Sequence, residues 1–85
     1  MKGNKSVHLT ASGLIKTGPG VLKGMYVNST SSGTIKVYDG TSSSGTVINN
    51  TITPAVGYHN LGDVAFVTGL YVTIGSTLDV TLHYE

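Results

Sequence analysis

Apolar and polar residues take turns along the carboxy-terminal stretch Gly69 to Glu85, GLYVTIGSTLDVTLHYE. Leu70, Val72 and Ile74 fall on one side, with Tyr71 and Thr73 on the other. Leu78, Val80, Leu82 and Tyr84 then alternate with Asp79, Thr81 and His83. A period of two sustained this long predicts half-buried β-strand. Gly75-Ser76-Thr77 interrupts it with turn-forming residues. Residues opposed across a hairpin share a face, so the register can be tested by arithmetic. A two-residue loop at Gly75-Ser76 sets Val72 against Asp79 and mixes the faces. A three-residue loop sets Ile74 against Leu78, Val72 against Val80 and Leu70 against Leu82, giving one apolar face. The other solution puts the two runs in opposite sheets of a sandwich.

The same pattern recurs upstream in shorter pieces. Residues 1–5 read as a flexible start, and 6–85 as one domain. Ser6 to Ala11 alternates with Val7 and Leu9 inward, Ser12-Gly13 is a turn or bulge, and Leu14-Ile15-Lys16 is extended. Thr17-Gly18-Pro19-Gly20 breaks the chain. Val21 to Asn28 is a strand with apolar residues on both faces, which predicts a central position or a subunit contact. Gly24 within it predicts a bulge or a close backbone approach. Ser29 to Gly33 reads as a loop, Thr34 to Asp39 as a strand, Asp39 to Gly45 as a second polar loop, and Thr46 to Ile52 as a strand ended by Thr53-Pro54. A short strand around Tyr58 and His59, a turn at Gly62-Asp63 and a strand at Val64 to Val67 lead into the carboxy-terminal run. Seven or eight short strands without a helical stretch predict an all-β fold, an antiparallel β-sandwich of jelly-roll type. Its inward set is Leu9, Leu22, Ile35, Val37, Phe66, Leu70, Val72, Ile74, Leu78, Val80 and Leu82.

Composition sharpens this picture. Gly, Ser and Thr supply 33 of the 85 residues, while five Lys, three Asp and one Glu carry all the formal side-chain charge. A chain this short has a small core, and without cysteine no disulfide supports it. Oligomerisation is the remaining common source of stability. There is no Arg, and the net charge is only +1. Bidentate phosphate or guanine contacts are therefore not expected, and no nucleic-acid partner is predicted. The polar start Met1 to Lys5 precedes no long apolar run, and Val64 to Ile74 is too short and too interrupted to span a bilayer. The expectation is synthesis in a cytoplasm, no membrane partner, and either arrival at the final place by assembly or retention in that cytoplasm.

Candidate chemistry is sparse. His8, His59 and His83 lack the close spacing of a zinc motif, and a site joining His8 to His83 requires the first and last strands to pair. No serine lies in a G-x-S-x-G elbow. Asp39 and Asp63 precede glycine, as turn residues do. Gly18-Pro19-Gly20 lacks the phosphate-loop pattern, and Pro19 removes a donor. No enzyme activity, metal or cofactor is predicted. Five tyrosines without tryptophan are the remaining signal, since tyrosine favours interfaces and sugar platforms. Tyr26 and Tyr84 read as plain strand residues, and Tyr38 and Tyr71 as outward-facing contact residues.

The run from Lys23 onward, with I-K-V-Y-D-G-T-S at 35–42, G-T-V-I at 45–48 and G-L-Y-V-T-I at 69–74, resembles small structural proteins of tailed bacteriophages. The resemblance covers about three-quarters of the chain. It implies a virion component, of the head-decoration or head–tail accessory type, that is a β-sandwich, forms a homotrimer and contacts other virion proteins such as the major capsid protein. The residues expected at subunit contacts are Met25, Val27, Tyr38, Tyr71, Thr73, Asp79, Thr81 and His83. The competing reading is a carbohydrate-binding or adhesin-like module resting on tyrosine side chains, Tyr38 and Tyr71 among them, and on Ser/Thr/Asn-rich loops.

Overall fold

A computed structural model of the chain describes residues 5–85. It is all-β and antiparallel, with no helix among the described residues. Six strands form one sheet: β1 (Lys5–Leu9), β2 (Gly13–Thr17), β3 (Gly20–Asp39), β4 (Thr46–Ile52), β5 (Gly57–Phe66) and β6 (Gly69–Tyr84). Six replaces the expected seven or eight because two strands are long. The first strand begins one residue before the expected domain start, since Lys5 opens β1 opposite Tyr84; residues 1–4, the rest of the expected flexible start, lie outside the described set.

β3 and β6 run antiparallel along nearly their whole lengths, from Leu22 opposite Tyr84 to Asp39 opposite Leu70. The expected hairpin at Gly75-Ser76-Thr77 does not form: β6 passes straight through it, with Thr34 opposite Gly75 and Ser31 and Ser32 both opposite Thr77. The expected loop at Ser29 to Gly33 is likewise part of β3. Bulges between Val27 and Ser29 and between Ser31 and Ser32, with left-handed backbone at Ser32 and Ser76, let both strands change direction here. Turn-forming residues at the middle of each strand thus mark a bend that both strands share.

Each end of this ribbon gains its own flanks. At one end β5 pairs with residues 20–27 of β3, and β1 pairs with residues 80–84 of β6. At the other end β4 pairs with residues 35–39, and β2 with residues 69–72. Four of the ladders are nested as in one long hairpin: 5–9 with 80–84, 13–17 with 69–72, 20–27 with 57–66, and 35–39 with 46–52. The fifth, β3 with β6, lays the two arms of that hairpin side by side.

The core follows from parity. Leu70, Val72, Leu78, Val80 and Leu82 of β6 are buried together with Leu22, Met25, Val27, Ile35, Val37 and Phe66. Residues from both ends of the ribbon meet in this one cluster, against which Leu9, Ile15, Ile48 and Ile74 pack partly buried. Leu9 and Ile74 are therefore less deeply placed than expected.

Met25 and Val27 are corrections: both are fully buried and have no surface to offer a second copy. The apparent two-sided pattern of residues 21–27 arises from a bulge between Leu22 and Gly24. The extra residue shifts the alternation, so Leu22 joins Met25 and Val27 inward and leaves Tyr26 outward. Gly62-Asp63, read as a turn, is the matching irregularity inside β5, with positive φ at both residues.

Candidate functional site

The odd-numbered residues of β6 point away from the core, and they organise the outward face. Tyr71, Thr73, Asp79, Thr81 and His83 all lie on it, as expected from their alternation. The shared bend divides the face into two parts, each a row of side chains crossing four strands.

At the β2–β4 end, Leu14, Tyr71, Tyr38 and Val47 are opposed in sequence across β2, β6, β3 and β4. The Tyr38 and Tyr71 rings are tilted at 57° with centroids 6.2 Å apart, and the Lys36 ammonium lies 5.4 Å from the Tyr38 ring centre. This cover leaves Tyr38 only 7% exposed. Tyr38 is therefore a correction too: it faces outward, but its neighbours occupy the surface it was expected to present. The exposed groups are those at the row's two ends, Leu14 at 46% and Val47 at 45%.

At the β1–β5 end the corresponding row is Tyr58, Tyr26, Thr81 and His8. A hydrogen-bonded group stands beside it. His8 Nε2 lies 2.6 Å from Asp79 Oδ1, and Asn28 Nδ2 donates to the same oxygen at 3.0 Å and to Thr81 Oγ1 at 3.2 Å. His8 first, then Asn28, hold the Asp79 carboxyl below its ordinary range, against a small opposing effect of partial burial. His83, opposite Ser6 on β1, faces the Tyr58 ring at 6.2 Å between centroids. The first and last strands do pair, the condition set for a joint His8–His83 site. The two imidazoles nevertheless turn apart, one to Asp79 and one to Tyr58. Among the described residues no three His, Asp or Glu side chains gather as a metal-binding group.

The sequence offers His8 only as a metal ligand and Tyr58 only as one of five tyrosines, and gives the Asn28 side chain no role. Their signal is parity: His8, Tyr26, Asn28, Thr81 and His83 alternate outward on three different strands. Only the order β5-β3-β6-β1 brings them together. Asp39, read as an ordinary turn residue, has a larger part. Its carboxylate accepts from the N–H groups of Val67, Thr68 and Gly69 at 2.9–3.3 Å and so fastens the β5–β6 turn. Those donors, Thr68 foremost and then Val67, pull the Asp39 carboxyl below its ordinary range. Ser12 substitutes for a strand partner, its Oγ accepting from Ile74 N–H at 2.7 Å. The described surface carries no pocket, so both rows are open platforms. No helix among the described residues is long and apolar enough to cross a membrane. Comparison with protein-family models, with curated proteins and with solved structures finds no match to this chain.

Proposed function

We propose that this chain is a non-enzymatic structural protein of a bacteriophage particle, a capsid-decoration or head–tail accessory protein that acts through protein–protein contacts as a homotrimer. The observation that carries the reading is the nested pairing of the strands. Divided at their shared bend, β3 and β6 make eight segments in two groups of four, β5-β3-β6-β1 and β4-β3-β6-β2. One long hairpin rolled so that its arms lie adjacent is the connectivity of a jelly roll, an architecture used by viral capsid domains and lectins. The two groups then pack face to face over the single core cluster. The 18 Å thickness of the molecule agrees with two layers about 10 Å apart. The phage resemblance, carried by residues 35–42, 45–48 and 69–74, selects the virion role among the uses of that architecture.

The trimer contact belongs at the β2–β4 end of the outward face, where Leu14 and Val47 flank Tyr71, with Thr73 beside them. Few charges need desolvation there, and tyrosine and threonine hydroxyls close hydrogen bonds across a contact. Light scattering after size exclusion should give about three times the 8.8 kDa chain mass. Leu14→Asp with Val47→Asp should return the chain mass with the circular dichroism spectrum intact. A wild-type mass of one chain at every concentration would remove the trimer. Mass spectrometry of purified phage particles tests the virion role, and absence of the chain from them would sink it.

A further inference from the structure

We propose that the β1–β5 end of the outward face binds a neutral glycan, with Tyr58 and Tyr26 as the stacking platform and the Asp79–Asn28 pair as the hydroxyl-recognising group. The platform rests on Gly24. A methyl group added at Gly24 would collide with the Tyr58 phenol, hydroxyl oxygen and ring carbon alike. The ring therefore lies across the sheet over a residue without a side chain, reaching toward His83, instead of standing up from the strand. The phenol end of the ring sits over the Gly24 backbone, and the residue is still 56% exposed. Tyr26 is its direct neighbour across the ladder and is 45% exposed. Tyrosine rings lose little rotamer entropy when ordered, and these two adjacent ones present an apolar surface matched to the C–H face of a pyranose.

Hydroxyl recognition comes from the adjacent strands. Among the described residues, both side-chain contacts to the Asp79 carboxylate, from His8 and Asn28, go to Oδ1. Oδ2 is left to accept from a ligand, as is the Asn28 side-chain oxygen, whose amide nitrogen is the atom engaged by Asp79 and Thr81. An ionised carboxylate already oriented by two neighbours is a strong acceptor for sugar hydroxyls. Its charge also disfavours anionic sugars, which makes the ligand neutral. From Tyr58 on β5 to His8 on β1 the row crosses three strand spacings, about 14 Å, the length of a di- or trisaccharide. This site is separate from the Tyr38–Tyr71 pair at the other end, and it does not depend on the virion role or the trimer.

The test is amide-resolved NMR titration of the full chain with methyl glucoside, methyl galactoside, methyl mannoside, lactose and cellobiose at millimolar concentration, beside sialyllactose as the anionic probe. At least one neutral sugar should shift the amides of Tyr26, Tyr58, Thr81 and His83, with sialyllactose weaker. Tyr58→Ala and Tyr26→Ala, both at exposed positions, should each weaken binding about tenfold, a loss of about 1.4 kcal/mol. Asp79→Asn should weaken it as well, and Tyr71→Ala should leave it unchanged. Absence of shifts with every sugar overturns the proposal, as do shifts that survive both tyrosine variants. Concentration-dependent shifts of these amides without sugar overturn it too, because a second copy then covers the face.

Discussion

At the scale of single residues, the short polar side chains that hold turns and strand ends together matter as much as the core. Asp39 is the clearest case. It closes β3, yet its carboxylate fastens the turn between β5 and β6, about thirty residues away in sequence. Asn in its place keeps Oδ1 as an acceptor but turns an amide N–H toward the Val67 N–H, which Oδ1 and Oδ2 now share. Asp39→Asn should therefore cost about 2 kcal/mol, in the range for hydrogen bonds to a charged group. Chemical denaturation measures this directly, and an unchanged midpoint would show that the turn holds without it. The sequence marked Asp39 correctly as a turn residue. It could not identify whose turn, because the three donors are distant in the chain.

At the scale of elements, the decisive feature is the long β3–β6 ribbon with its shared bend. Leu70, Val72, Ile74, Leu78, Val80 and Leu82 are all even-numbered, so one parity runs through Gly75-Ser76-Thr77. A continuous strand keeps that parity, and so does a hairpin with a three-residue loop. Alternation alone therefore cannot separate the two, and the glycine and serine tipped the reading toward a turn. In the structure the same residues serve a bend, where left-handed backbone at Ser76 and a doubled partner at Thr77 absorb the change of direction. Removing Ser76 should shift Leu78, Val80 and Leu82 to the outward face and expose Asp79 and Thr81 to the core. Loss of cooperative thermal unfolding is the expected outcome, followed by circular dichroism. A variant that melts as sharply as the wild type would mean that the bulges at the bend can take up a whole residue. The strand at residues 46–52 has the expected bounds, because the Thr53-Pro54 breaker follows it directly.

At the scale of the whole molecule, two carboxylates, Asp39 at the β5–β6 turn and Asp79 in the outward network, shape the response of stability to acid. Both have folded-state pKa values below their ordinary ones, through N–H donors at Asp39 and through His8 and Asn28 at Asp79. A carboxyl depressed by folding contributes stability in full above its unfolded pKa, about 3.9, and loses it as the pH falls from there through the folded value. The melting temperature should thus be insensitive to these groups from pH 7 to pH 5 and drop below about pH 4. Asp39→Asn should start lower and show a shallower acid decline. An acid decline equally steep in that variant would place the responsible group elsewhere. Nested ladders joining the two ends of the chain also predict slow folding, since long loops close before their contacts form.

Fold class was decided by sequence alone. Period-two alternation, breakers at short intervals and the lack of helical stretches leave only an antiparallel β architecture, and they place nine of the eleven expected core residues in the buried cluster. Those signals are local, and strand formation responds to local pattern. Tertiary structure decided which strands run through their breaks, where the bulge at Lys23-Gly24 inverts a face, and which outward residues become neighbours. Met25 and Val27 went to the core because one extra residue shifts parity, a shift that becomes visible only against the partner strand. The Tyr58–Tyr26–Thr81–His8 row joins segments from both ends of the chain. No pattern along one strand carries the register between strands, because register is settled by the partner's side chains and bulges, which the strand's own sequence does not contain.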